Sequence, residues 1–461
     1  MDVAGLRDRI QATLDANGDI RRQAELDLKY AESQPGFPNA LCDILQAEQD
    51  QAVRLSTVVY LKNRVIRGWS PEEDHSLHKP IPEEERGSLR NRLLPMLASS
   101  PPPIRSQLVP MLSKILQHDF PEKWPNFMDI TLQLLNGSDV NSVFAGLQCL
   151  LAICRVYSYK VTEDDKKAEF DEIVDHSFPQ LLNIGSRLVN EESEEAGEML
   201  RTVMKAYKHA IYMELPSHLM SDQATVDWCT LFLRIIDKTP PPCSMTGEPA
   251  DRELTHWWKS KKWAYANLNR LFVRYGNPSA LGKSSKPDYA QYAKMFMTAF
   301  APEILKGYLQ QVDKWVSGGL WLSKPALYYT LVFLEECVKP KAVWDHLKPH
   351  IENLVAHLIF PLLCQTDEDI ELFDSDPAEY LHRKLNLFEE VSAPDAAATN
   401  FLIALTKTRK KQTFSILTFV NSVVSKYESA PDDQKLPREK EGALRMIGSL
   451  ASVILGKKTT S

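Results

Sequence analysis

The stretch Val53-Arg54-Leu55-Ser56-Thr57-Val58-Val59-Tyr60-Leu61-Lys62-Asn63, running on to Trp69, decides the fold. Val53, Thr57 and Leu61 stand four residues apart and share one face of a helix. Ile20-Arg21 and Ile104-Arg105 open two further segments the same way, an aliphatic residue followed by Arg. Four and eight positions on come Ala24 and Leu28 in the first, Leu108 and Leu112 in the second. Leu444-Arg445 repeats the opening near a fourth expected helix start. Asp19, Asp50 and Pro101 stand at or shortly before three of these starts.

Outward from these segments the apolar spacing predicts helices over Ala40 to Gln49, Val53 to Trp69, Leu89 to Ser99 and Ile104 to His118. Short breakers separate them: Gln34-Pro35-Gly36, Ser70-Pro71, Ser100-Pro101-Pro102-Pro103 and Asn136-Gly137-Ser138-Asp139. Helix pairs repeating at roughly 40–47 residues are the signature of HEAT-type arrays, and the chain would hold about ten of them. The expected fold is therefore all-α, a right-handed HEAT-repeat solenoid in which stacking completes each pair's core. An irregular helical domain is the alternative. No domain boundary is evident, so 1–461 reads as one array. Val161 to Lys167 and Pro240 to Asp251 read as loops inside it, the second a mobile one.

Composition agrees. Hydrophobic residues make up 44% of 461, enough for a large core, and Gly is scarce at 18. The net charge of −7 opposes a general nucleic-acid binder and suits basic protein partners. The seven Cys, Cys42, Cys149, Cys154, Cys229, Cys243, Cys337 and Cys364, are odd in number with no Cys-x-x-Cys pair, and read as reduced residues, mostly core, of an intracellular protein. Met1 to Arg9 lacks an apolar signal core, and no run of about 18 apolar residues predicts a membrane span. Catalytic signatures are missing. His346 and His350 are spaced i, i+4, but Pro349 intervenes, and no P-loop, dinucleotide or Gly-x-Ser-x-Gly pattern occurs. A non-enzymatic protein without cofactor or metal is expected.

The Leu61-Lys62-Asn63 triplet after an aliphatic-Arg start resembles the second repeat of importin-β family nuclear transport receptors. His118-Asp119-Phe120-Pro121-Glu122-Lys123-Trp124-Pro125 resembles the family's Pro-x-x-Trp junction between the third and fourth repeats. Three further stretches are similar to the importin-seven and importin-eight branch: Trp257 to Ala264 with Arg270 to Gly276, Leu347 to Ile351 with Ile359 to Leu362, and Gly442 to Leu450. Such receptors are roughly twice this length, and apolar Leu450, Val453 and Ile454 close the last helix. The chain is thus expected to be an N-terminal part of such a receptor, with 1–125 as Ran-binding repeats and 126–461 as further repeats.

The resemblance implies that Ran-GTP sits against the first repeats, with Arg54, Lys62, Asn63, Arg67 and Trp69 as its contacts. It implies a second contact at an acidic loop, 367–379. There Asp367, Glu368, Asp369, Glu371, Asp374, Asp376 and Glu379 put seven acids in thirteen residues without a Lys or Arg. The element is expected as a helix end, a loop, and a new helix near Pro377 capped by Asp376. So acidic a cluster steers basic partners. The run Glu191 to Glu195 is weighed as a cargo contact against a solvated turn, and the turn is favoured. The basic run Lys407 to Lys411 is expected as an exposed turn.

The implied partners are Ran-GTP, basic cargo such as ribosomal proteins or histones, Phe-Gly nucleoporins, and importin-β as a heterodimer partner. Neither membrane nor direct nucleic acid is expected. The implied function is nuclear import, with shuttling between cytoplasm and nucleus and cargo release on Ran-GTP. An exportin of the same superfamily and a non-transport HEAT scaffold are the alternatives.

Overall fold

The computed structural model of the chain describes residues 1–72, 78–279, 281–282, 287–385 and 393–455, and no strand occurs among them. The chain forms two compact units, the first of residues 1–188 with 202–221 and the second of 189–201 with 222–461.

The first unit holds α1 (Val3–Ala12), α2 (Gly18–Glu32), α3 (Phe37–Ala47), α4 (Gln51–Gly68), α5 (Glu83–Ser99), α6 (Pro102–Asp119), α7 (Phe127–Leu135), α8 (Val140–Lys160) and α9 (Asp164–Leu188). Odd and even helices pair in sequence. The odd helices α1, α3 and α5 pack side by side, as do the even helices α4, α6 and α8, which is the two-layered stacking of a repeat array. α10 (Glu194–Ala210) contributes its second half to this unit and its first half to the other.

Local chemistry explains these elements. Asp50 Oδ1 caps α4 by accepting from the N–H groups of Ala52 (2.8 Å) and Val53 (3.2 Å). Val53, Thr57 and Leu61 are buried, as are Ala24, Leu28, Ile104, Leu108 and Leu112. The four-residue spacing is thus the core stripe. Two details differ. Ile20 is exposed, and α2 is capped by Asn17, whose Oδ1 takes the Asp19 N–H. Leu444-Arg445 lies well inside its helix, with Leu444 exposed and Arg445 reaching back to the Leu363 carbonyl at 2.9 Å.

α8 is long and apolar enough to cross a membrane, contrary to expectation from the sequence. Its length is spent on packing instead: residues from Phe144 to Cys154, Gln148 excepted, are buried, and the helix packs on α6, α7 and α9. Gly146 marks the closest approach, since a Cβ there would stand 2.8 Å from the backbone nitrogen of Leu135.

The second unit continues with α11 (Asp222–Asp237), α12 (Pro249–Leu254), α13 (His256–Arg270), α14 (Pro287–Met295), α15 (Ala301–Val316), α16 (Lys324–Cys337), α17 (Lys341–Leu347), α18 (Ile351–Leu354), α19 (Phe360–Leu363), α20 (Asp367–Ser375), α21 (Pro377–Leu385), α22 (Pro394–Thr408), α23 (Gln412–Ser429) and α24 (Pro437–Leu455). α13, α16, α22 and α24 pack in succession as one row of it. α20 and α21 pack on each other and are inserted between α19 and α22.

Two expected loops are more structured than the composition suggests. Asp164 to Lys167 already belong to α9. Pro240 to Asp251 holds a 3-10 turn at Pro242–Ser244 and the start of α12. It is pinned where the Trp258 indole donates to the Ser244 carbonyl at 3.1 Å. The physical reason is the tryptophan pair: Trp257 and Trp258 are core, and their ring N–H groups need acceptors, which the neighbouring turns supply. Among the cysteines, Cys243 is exposed and Cys364 half-buried. Burial pushes the Cys42, Cys149 and Cys229 thiols up to about 12, which keeps them inert.

Candidate partner-binding surfaces

α4 presents two faces. The buried face is the Val53, Thr57, Leu61 stripe. On another, Leu55 and Ile66 are exposed at 40% and 38%, while Val59, Lys62 and Asn63 are half-buried. Apolar side chains with a polar pair between them, on a helix already committed to the core on its other side, make an interface-like surface. Lys62 also braces the array, its Nζ donating to Gln107 Oε1 on α6 at 2.8 Å. Arg54 is half-buried and Arg67 exposed.

Trp69 differs from expectation: it is fully buried. Its indole N–H donates to Asp119 Oδ1 at 3.1 Å, and the Arg86 guanidinium lies 5.5 Å from the ring centre. Asp119, from the Pro-x-x-Trp junction, also holds Arg90 at 2.5 Å and caps the turn after α6 by accepting the Lys123 and Trp124 N–H groups on its carbonyl. Trp69 and the junction motif are one internal linkage. Trp69 cannot touch a docked partner without leaving the core, so it is removed from the contact set.

The acidic stretch is also corrected. Residues 367–375 form the helix α20 rather than a loop. Thr366 and Asp369 make a reciprocal capping box: Thr366 Oγ1 accepts the Asp369 N–H at 3.1 Å, and Asp369 Oδ2 accepts the Thr366 N–H at 3.0 Å. Asp367, Glu368 and Asp369 in the first turn suit the positive end of the helix dipole. Asp376 caps α21 as expected, accepting the Glu379 N–H at 3.0 Å. Glu371, Asp374 and Asp376 are exposed. The fold adds cations that the stretch itself lacks: Arg438 meets Asp367 at 2.5 Å and Lys324 meets Glu368 at 3.6 Å. No spacing in the sequence announces those pairs, because the partners lie far along the chain.

The weaker runs resolve into structure. Glu194 accepts the His256 N–H at the start of α13 (2.8 Å) and the Ser244 hydroxyl (3.3 Å), so it serves as a cap. Of the basic run, Lys407 lies in the last turn of α22 and Arg409 to Lys411 form the turn to α23, where Arg409 binds the carbonyls of Val338 and Lys339. Among the described residues no cluster of His, Cys, Asp and Glu could hold a metal ion.

Comparison with known proteins supplies three family matches in chain order. Residues 24–99 match the Importin-beta N-terminal domain, 101–241 the Exportin 1-like protein family, and 332–460 the Cse1 family. The chain is 32% identical to the Nonsense-mediated mRNA decay protein 5 of Saccharomyces cerevisiae, covering 99% of itself and 45% of that protein. It is 29% identical to human Importin-8 over 99% of itself and 43% of that protein. The chain therefore spans less than half the length of the curated relatives it matches. Among solved structures, the exportin Cse1 in its cargo-free, cytoplasmic state shares the fold, with a TM-score of 0.75 at 17% identity over 98% of this chain and 47% of that one.

Proposed function

From the chain's membership of the importin-β (karyopherin) superfamily of nuclear transport receptors, we propose that it is the Ran-GTP-binding portion of a nuclear import receptor. The observation that carries this reading is the α4 surface. It lies inside the stretch matching the Importin-beta N-terminal domain, and it leaves Leu55 and Ile66 exposed around Lys62 and Asn63. Arg54 and Arg67 flank it. The acids of α20 and its flank, Asp367, Glu368, Asp369, Glu371, Asp374 and Asp376, form a second contact for a basic face of Ran or of cargo. Of these, Glu371 and Asp374 are the least engaged within the fold.

In this reading the receptor carries basic cargo such as ribosomal proteins or histones. It crosses the pore by weak contacts with Phe-Gly nucleoporins, shuttles between cytoplasm and nucleus, and pairs with importin-β for some cargo. Ran-GTP and cargo compete for acidic surface, so binding one weakens the other. No catalytic step is assigned. A binding assay with Ran carrying a non-hydrolysable GTP analogue tests it. The chain should retain the GTP form and not the GDP form, and the Asn63→Ala, Arg67→Glu pair should lose most of that affinity. Equal retention of both nucleotide forms by folded protein refutes the assignment.

A second reading, export, is favoured by the Exportin 1-like and Cse1 matches. The sign of the coupling separates them. An import receptor releases cargo when Ran-GTP binds, and an export receptor holds it more tightly.

A further inference from the structure

A cavity of about 330 Å³ opens beside α2 and α4, lined by Lys29, Glu32, Tyr60, Arg64, Arg67 and Lys79 among others. Its floor is Arg64, which is 6% exposed. One guanidinium nitrogen, Nη1, donates to the Lys79 carbonyl at 2.9 Å, while the Nε–H is buried without a partner. The side chain lies across Gly68. A Cβ there would overlap Arg64 Nη1, so only glycine leaves the guanidinium this place. Beside it, Glu32 Oε1 is likewise buried and unpartnered. Lys29, Arg67 and Lys79 form an exposed rim. With Glu25 also in the lining, four fixed cations face two carboxylates, a local positive excess on a chain whose net charge is −7.

A buried guanidinium with an unused donor calls for an acceptor, and a charged acceptor satisfies it best. A buried carboxylate oxygen beside it calls for a donor. We propose that this cavity binds an acidic segment of a partner protein. One side-chain carboxylate accepts from Arg64 Nε within the rim of Lys29, Arg67 and Lys79, and an N–H of the same segment donates to Glu32. A peptide carries both functions at short range. A phosphomonoester dianion carries only acceptors, and its second charge is opposed by Glu25 and Glu32. The volume lies at the small end of ligand pockets, which suits one or two residues. The rim shares Arg67 with the proposed Ran contact, whereas Lys29, Arg64 and Lys79 lie outside it, so changes at those residues separate the two readings.

Fluorescence anisotropy with a labelled Gly-Asp-Glu-Asp-Gly peptide tests it, alongside a Gly-Asn-Gln-Asn-Gly peptide, a phosphoserine peptide and inorganic phosphate. The acidic peptide should bind about ten-fold more tightly than the amide peptide and weaken with salt. Lys29→Glu with Lys79→Glu, both exposed and outside the Ran contact set, should remove about ten-fold or more of its affinity. Gly68→Ala should do so by displacing Arg64 with no change of charge, and circular dichroism reports its folding. Should Gly68→Ala fail to fold, the exposed pair decides. Undiminished affinity in that pair, or equal binding of the amide peptide, overturns the proposal. Tighter binding of the phosphoserine peptide, or efficient competition by phosphate, overturns the carboxylate assignment.

Discussion

Asp119 is 1% exposed and carries two charge-assisted bonds, to Arg90 and to the Trp69 indole. Replacing it with Ala leaves the buried indole donor without an acceptor and the Arg90 guanidinium with Glu83 alone, at 2.6 Å. Leaving buried donors unsatisfied costs roughly 1–3 kcal/mol, so Asp119→Ala should lower the urea midpoint of unfolding beyond a surface change such as Asp27→Ala. His209 gives a pH signature. Burial, reinforced by Lys208 and Arg155, holds its imidazole down to about 3, and its Nδ1 sits 3.1 Å from Ser158 Oγ. The folded state therefore takes up this proton less readily than the unfolded chain, whose histidine titrates near 6.5. The contribution is fully present above pH 6.5 and is lost as pH falls toward 3. His209→Leu should shrink the drop in urea midpoint between pH 7 and pH 5. An unchanged drop removes His209 from the account.

At the scale of elements, the α7–α8 contact depends on Gly146. The atoms a methyl group would meet there are largely backbone, from Leu134 and Leu135, so the helices must separate. Gly146→Ala should cost about 1–3 kcal/mol, read by the same denaturation assay, whereas Gly448→Ala, where a Cβ meets nothing within 4 Å, should cost little. The acidic helix α20 divides its labour. Asp369 and Asp376 hold helix termini, and Asp367 and Glu368 meet Arg438 and Lys324. Reversing them confounds structure with steering. Glu371→Lys with Asp374→Lys is the cleaner change. It should slow association with Ran-GTP or a histone at low salt and flatten the salt dependence, measured by stopped flow. An unchanged on-rate takes α20 out of the contact set.

For the whole molecule the predicted quantity is a coupling. If the chain carries the import function, saturating Ran-GTP should weaken its affinity for a basic cargo by about 5- to 150-fold, the range that 1–3 kcal/mol of coupling gives. Calorimetric titration with and without Ran-GTP measures it. A strengthened affinity selects the export reading instead. By linkage, cargo must weaken Ran-GTP binding by the same factor, which is an internal check on the same experiment.

Helix phase and capping are local, and the order of residues along the chain determines both. Val53, Thr57 and Leu61 repeat with the period of one helix face, Asp50 and Asp376 sit where a carboxylate takes free N–H groups, and ordered motifs from residue 53 to residue 450 point to the superfamily. The acidic stretch reads as a loop when charge composition is weighed above the Thr366–Asp369 capping signal, which is itself visible in the sequence. Tertiary structure alone decides which residues of these motifs face a partner. Trp69 looks like a contact in sequence and is core because Asp119, fifty residues on, folds beneath its indole. Arg438 and Lys324 come to the acids of α20 from about seventy and forty-four residues away, and Arg64 reaches its cavity only because Gly68 lacks a side chain. Periodicity reports the face a residue occupies on its own helix. Which helix then covers that face depends on stacking between distant segments, and only the packed structure contains it.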